Sequence, residues 1–371
     1  MNKVFKTLLV ITVVLSVFSC ANNNLKTTES TTKLRFIDEY VIPDDLIFEE
    51  TRVGGLSGID YANGNWYVIS DDSDSPRFYN ASISYDLDGF KSVEINSVVK
   101  FEDVDGKLFT NGIVDPESIR YDNETIIWTS EGNINNGLKP FIRIADTNGR
   151  FLKEMILANR YLPNTNSNSG PRNNGVFESL TLSQDEKGYW VAMELPLIED
   201  GVEPTLAETN SPVRIAFVNK KTGRFEKEIV YELNKVERPA INGATFEVNG
   251  IVGLIEYDIN RFFVLERSYS MGYEDGGNTV KIYDVDASKA TDVSSLKSLL
   301  DANYTKVTKK LLFNFETIRK DLTNAIVDNI EGLTFGPDFN NGNRSLIVIA
   351  DNNFSLYGPQ LNQIILFELE K

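Results

Sequence analysis

The chain has 371 residues, with 54 acidic side chains against 37 basic ones for a formal charge of −17, no histidine and one cysteine. Such a balance disfavours nucleic acid and anionic membrane surfaces as partners and favours cations. The missing histidine removes Ser-His-Asp triads, Cys-His pairs and His-ligated zinc, so any catalysis must use carboxylates, arginine, lysine, hydroxyls or a hard metal ion.

In chain order, Lys3 and Lys6 precede an apolar run, LLVITVVLSVF, that is too short for a stop-transfer helix, and Ser19 precedes Cys20. This is the pattern of a secretory signal peptide. The segment VFSC resembles a bacterial lipobox, although Phe18 is bulky for its place. Residues 1–20 therefore read as a lipoprotein signal peptide with Cys20 as the lipid-attachment site, the alternative being an ordinary signal peptide with a chance cysteine. Cleavage removes two lysines and takes the charge to −19. Residues 21–33, ANNNLKTTESTTK, are polar and free of aromatics, the composition of a flexible tether. No acidic run follows Cys20, which by resemblance to lipoprotein sorting signals points to an outer-membrane lipoprotein facing the periplasm and leaves surface display as the alternative. The membrane is then met through the lipid alone.

From residue 34 onward one hairpin plan recurs. GLSGIDYANGNWYVISDD (55–72), DPESIRYDNETIIWTSEG (115–132), FESLTLSQDEKGYWVAME (177–194), GLIEYDINRFFVLER (253–267) and IEGLTFGPDFNNGNRSLIVIAD (330–351) each pair an alternating strand, a turn and an apolar strand ending in an acid. A second pair follows most of them, as in FIRIADTNGRFLKEM (141–155) and VRIAFVNKKTGRFEKEIV (213–230). Four strands per unit make a propeller blade. The spacing predicts an all-β β-propeller over 34–371 with five visible units; a sixth hidden in an irregular stretch, or another closed or stacked all-β arrangement, stays open. LRFIDEYVIP (34–43) is expected to supply the strand that the last unit lacks and so close the ring. Residues 286–308, with the helix-like stretch SSLKSLLDA, read as an insertion into the fourth unit. Tyr61, Trp66, Tyr121, Trp128, Tyr189 and Trp190 read as blade core.

Symmetric closure of the 177–194 hairpin would set Glu178 opposite Glu194, about 5 Å apart at Cβ, where like charges are destabilising. In a propeller the same positions of other blades, Glu117 with Glu131 and Glu331 with Asp351, converge on one channel mouth, with Asp71, Asp72 and Glu266 ending the remaining return strands. Two compensators are expected. One is Ca²⁺, which takes carboxylate and carbonyl oxygens. The other is arginine, from Arg77, Arg143, Arg214 and Arg267. The plain alternative is that the acids accept backbone or arginine hydrogen bonds as structural fasteners.

The segments FESL with YWVAMEL, LIEYDINRFFVLERSYS, and NIEGLTFGPDF with LIVIADNNF resemble the phytase-like family described as having esterase-like activity, across nearly all of 34–371. The resemblance implies a secreted propeller that hydrolyses phosphate or other esters of a small anionic substrate. The expected site uses Glu178, Glu194 and Arg267 as catalytic groups. Arg77, Arg143 and Arg214 would bind substrate, and Glu117, Glu131, Glu331, Asp351, Glu266 and Asp71 would hold Ca²⁺. The alternative is a ligand-binding or scaffolding propeller without turnover. A serine esterase built on Ser57, Ser118 or Ser179 lacks a histidine base. Oligomeric state is left open by the sequence.

Overall fold

A computed structural model of the chain describes residues 32–110, 112–164, 168–208, 210–356 and 358–370. The expected signal peptide, Cys20 and all of the tether but its last two residues lie outside the described residues. Among them no helix is long and apolar enough to cross a membrane.

The first strand, β1 (Lys33–Ile42), is followed by a small hairpin of β2 (Ile47–Phe48) and β3 (Thr51–Arg52). Blade 1 is β4 (Gly58–Ala62), β5 (Asn65–Ser70), β6 (Arg77–Asp86) and β7 (Gly89–Lys100); blade 2 is β8 (Pro116–Asp122), β9 (Thr125–Ser130), β10 (Phe141–Asp146) and β11 (Phe151–Glu154). Blade 3 runs through β12 (Phe177–Leu182), β13 (Gly188–Met193), β14 (Pro212–Asn219) and β15 (Phe225–Glu232), and blade 4 through β16 (Glu247–Asp258), β17 (Arg261–Ser270), β18 (Asn278–Asp286) and β19 (Thr308–Asn314). The fifth sheet has the order β1, β22 (Asn362–Glu370), β21 (Arg344–Asp351), β20 (Asn329–Phe335). The fold is thus an all-β propeller of five blades. Its ring is closed as the sequence predicts, by β1 completing the last blade, with Lys33 opposite Glu370 and Ile42 opposite Asn362.

Apolar faces of neighbouring blades form the core. Trp66, Trp128, Tyr189 and Trp190 are buried there, and Trp128 stacks on Phe101 at 4.2 Å between blades 1 and 2. The inner strands β4, β8, β12, β16 and β20 contact one another in a closed ring around the axis. They approach so closely that a Cβ at Gly332 would sit 3.0 Å from the Ser57 carbonyl, and one at Gly253 3.0 Å from that of Glu331. Small residues are needed there because backbone meets backbone. Deeper along the axis stands Arg120, buried, whose guanidinium donates to the carbonyls of Ile59, Ile119, Leu254 and Leu333. It ties inner strands of four blades together and fills the axis at that level.

Residues 287–307 do interrupt blade 4 between β18 and β19, but they form turns rather than the expected helix. The carbonyls a helix would use internally are taken by arginines, those of Val293 and Leu296 by Arg214 and those of Ser294 and Leu296 by Arg160. Val293 and Leu299 bury against Val230 instead.

Candidate functional site at the propeller mouth

Alternation along the β12–β13 hairpin puts Glu178 and Leu180 on one parity, but the register is not the symmetric one. Leu180 faces Val191, Ser179 faces Ala192 and Phe177 faces Met193, which leaves Glu178 as the extra residue of a β-bulge and Glu194 beyond the strand end. The two acids are therefore not cross-strand neighbours. A bulge bends its strand and re-aims a side chain, and here it does so toward the axis.

The irregularity recurs in blades 2, 4 and 5. Glu117 lies in a bulge between Pro116 and Ile119, Val252 between Ile251 and Gly253, and Glu331 between Ile330 and Gly332, while Ser57 stands just before β4 in blade 1. Facing these positions, the return strands end in a second set. Backbone N–H groups of Asp71, Glu131 and Glu194 donate to the carbonyls of Gly55, Asp115 and Val176, and Arg267 and Asp351 pair with Gly250 and Asn329. Three tiers of five equivalent positions thus surround one mouth. They present Asp71, Asp115, Glu117, Glu131, Glu178, Glu194, Glu331 and Asp351, eight carboxyls, and one guanidinium, Arg267.

Arg267 reaches Glu331 at 3.1 Å and Glu194 at 3.5 Å. Asn329 donates to Glu331 at 2.9 Å and to Asp351 at 3.2 Å, and the Asn353 N–H donates to Asp351. Glu131 accepts from the Val176 N–H. A Cβ on Gly250 would fall 2.4 Å from Glu194 Cγ, so the glycine gives that side chain its place. Among the described residues no donor reaches the carboxyls of Glu117 or Glu178, and Asp71 Oδ1, Ser57 Oγ and Arg267 Nε are buried without a hydrogen-bond partner.

This crowding shifts the titration of the whole group. Burial, then neighbouring carboxylates, raise Asp71, Glu117, Glu131 and Glu178 well above the usual carboxylate range. Burial and Asp351 push Asp115 to about 7, and burial and Glu331 push Asp351 to about 8. Burial carries Glu194 and Glu331 to about 7 against the pull of Arg267. Burial works against the charge of Arg267, but Glu331, Glu194 and Glu178 overcome it and hold the guanidinium ionised.

The ligand oxygens of Asp115, Glu117 and Glu131 lie within 4.8 Å of one another, as do those of Glu131, Glu178 and Glu194. Oxygens that share a Ca²⁺ at about 2.3–2.6 Å stand at most about 5 Å apart. Hard oxygen donors, an excess of negative charge and this spacing fit such a cation.

Other expected site residues lie elsewhere. Glu266 precedes the mouth position by one residue and accepts from Tyr231, Asn234, Asn249 and Lys309, so its oxygens are already engaged by protein donors. Arg77, Arg143 and Arg214, expected to bind substrate, are likewise engaged by protein groups. Arg77 donates to Asp72, Tyr79 and the Ser75 and Arg52 carbonyls. Arg143 is paired with Asp103 and Glu154, and Arg214 with Asp200 and Glu228 in a core that leaves the Arg214 and Asp200 side chains 0% exposed. Each bonds within its own blade, and Arg214 also holds the blade 4 insertion through the Val293 and Leu296 carbonyls. Asp115 and Asn329 were missed, although both stand two residues before a bulge glutamate and could have been found by aligning DPES with NIEG.

The fold and its mouth define a five-bladed propeller with an acidic axial well. The chain belongs to the phytase-like family, described as having esterase-like activity of phytase, whose model matches residues 51–354. No curated protein matches it. Among solved structures, RS223 β-xylosidase is 11% identical with a TM-score of 0.42 over 91% of this chain and 95% of that one. The calcium-free form of CoXyl43, a GH43 β-xylosidase/α-arabinofuranosidase from a compost microbial metagenome, is 12% identical with a TM-score of 0.40 over 85% and 91%. The Dos1 propeller is 10% identical with a TM-score of 0.31 over 86% and 69%. Likeness at this level carries no argument about chemistry.

Proposed function

We propose that the protein is a lipid-anchored, cation-dependent hydrolase of small anionic esters, phosphate esters foremost, working at the propeller mouth. The observation that carries this reading is the set of eight mouth carboxyls against one arginine, with Glu117 and Glu178 free of protein donors. Acids acting only as fasteners would have such donors. Asp115, Glu117 and Glu131 would hold Ca²⁺, with Asp71, Glu331 and Asp351 completing the negative field. A bound Ca²⁺ supplies screening of the anionic substrate and polarisation of its phosphoryl oxygens.

The chain's own groups do the rest. Glu178 takes a proton from the water that attacks phosphorus, the ester P–O bond breaks, and Glu194, titrating near neutrality, gives its proton to the departing alkoxide. Arg267 stays charged and faces the negative charge spread over the phosphoryl oxygens. The anchor is the lipid at Cys20, which would place the enzyme on the outer membrane, facing the periplasm.

The test is release of phosphate from phytate and p-nitrophenyl phosphate by the domain 34–371, with Ca²⁺ and with chelator. Turnover that needs Ca²⁺ and falls at least about 100-fold in Glu178→Gln and in Glu194→Gln is the expected result, the loss being that of a general acid or base. No turnover under any condition, with Ca²⁺ still raising Tm, would assign a structural metal in a binding propeller.

A further inference from the structure

Strand directions decide which face of the ring the chain leaves from. In blade 5, β20 runs inward from the mouth, where Asn329 pairs with Asp351. Strand β21 runs back to the mouth, so Arg344 marks the opposite face, and there it pairs with Leu369 near the end of β22. Strand β1 is antiparallel to β22 and starts with Lys33 opposite Glu370. The N-terminal segment therefore joins the propeller on the face opposite the acids, at the outer edge of a blade.

We infer that the anchored protein stands with its mouth turned away from the bilayer and the face of the 86–89, 146–151 and 219–225 turns toward it, so that the site takes diffusible, water-soluble esters and not lipid headgroups. This rests on the reading of Cys20 as the lipid-attachment site. Twelve residues separate Cys20 from β1. Covalent geometry limits their reach to about 40 Å. Strand β1 has ten residues, so the two faces stand about 30 Å apart. Turning the mouth to the membrane would require the segment to climb that height along the outside of blade 5, about three-quarters of its full reach. The favoured orientation needs no such extension, and it holds eight carboxyls more than three Debye lengths from an anionic surface at physiological salt, where that surface neither repels an anionic substrate nor competes for its cation.

Because Cys20 is the sole cysteine, an introduced one is the only free thiol of the lipidated protein. The full chain, processed in a bacterial host, is reconstituted in phosphatidylethanolamine and phosphatidylglycerol vesicles that carry a headgroup quencher. A fluorophore is placed at Asp88→Cys or Lys221→Cys, exposed turn positions on the far face, or at Glu274→Cys, in an exposed turn beside the mouth. Quenching at least threefold stronger at positions 88 and 221 than at 274 is expected. Equal quenching, or stronger quenching at 274, in protein that floats with the vesicles overturns the orientation alone. Protein whose Cys20 carries no lipid by mass and that does not float overturns the anchor and the orientation together, and leaves the hydrolase reading to its own assay.

Discussion

Arg267 is the one position of its tier where a guanidinium replaces an acid, and it lies between Glu194 and Glu331. Arg267→Met removes a positive charge from the neighbourhood of the proposed cation. Ca²⁺ affinity by calorimetry is expected to rise several-fold while turnover falls, a split that simple loss of structure would not give. The carboxyls make a second residue-scale prediction. Their folded-state pKa values are raised to about 7 or 8 for Asp115, Glu194, Glu331 and Asp351, against about 4 in an unfolded chain. The folded protein thus holds more protons between pH 4 and 8. Its metal-free stability should fall as pH rises through that window. Tm with chelator is expected to drop from pH 5 to pH 8, and Ca²⁺ to raise Tm far more at pH 8 than at pH 5. Arg214 tests the opposite kind of site. Arg214→Met strands Asp200 as a buried charge and leaves Glu228 with Arg160 alone, and denaturant unfolding should show a loss of about 3–5 kcal/mol.

At the scale of the element, the hairpin is the unit that the sequence displays and the bulge is the unit that it hides. Alternation, Asn/Gly turns and the acid closing each return strand place β4 to β5, β8 to β9, β12 to β13, β16 to β17 and β20 to β21 where they are found. A strand period of two assigns faces only while the count of residues matches on both sides. One extra residue at Glu178 or Glu331 breaks that count without any mark in composition, so the symmetric pairing fails while the convergence of the acids holds. Arg77, Arg143 and Arg214 recur with the repeat, and a recurring arginine cannot be told from a recurring fastener until its partners are seen. Asp200 is 14 residues before Arg214 and Asp103 is 40 before Arg143, both in connections that no periodicity describes. The stretch SSLKSLLDA shows tertiary demand overriding local pattern, because its carbonyls serve Arg160 and Arg214. Gly250 tests element geometry, since Gly250→Ala puts a methyl against Glu194. Turnover should fall as in Glu194→Gln, with Tm changed little by comparison.

For the whole molecule, ring closure is the event on which everything else depends. Blade 5 takes three strands from one end of the described chain and β1 from the other, with Arg35 paired to Glu368 and Glu370 across the seam. Removing residues 33–42 leaves β22 as an open edge and uncovers Leu366 and Phe367. The truncated chain is expected to lose cooperative thermal unfolding and to aggregate, as read by calorimetry and light scattering. Arg120 gives the closed ring a further property. Because its guanidinium grips carbonyls from four blades, the axis is stoppered below the acids and the molecule is a cup, not a pipe. Whatever enters past Glu178 must leave by the same opening. On the proposed hydrolase reading a spent product would stand in the path of the next substrate, and the exchange of the two would become a matter of queueing at a single doorway.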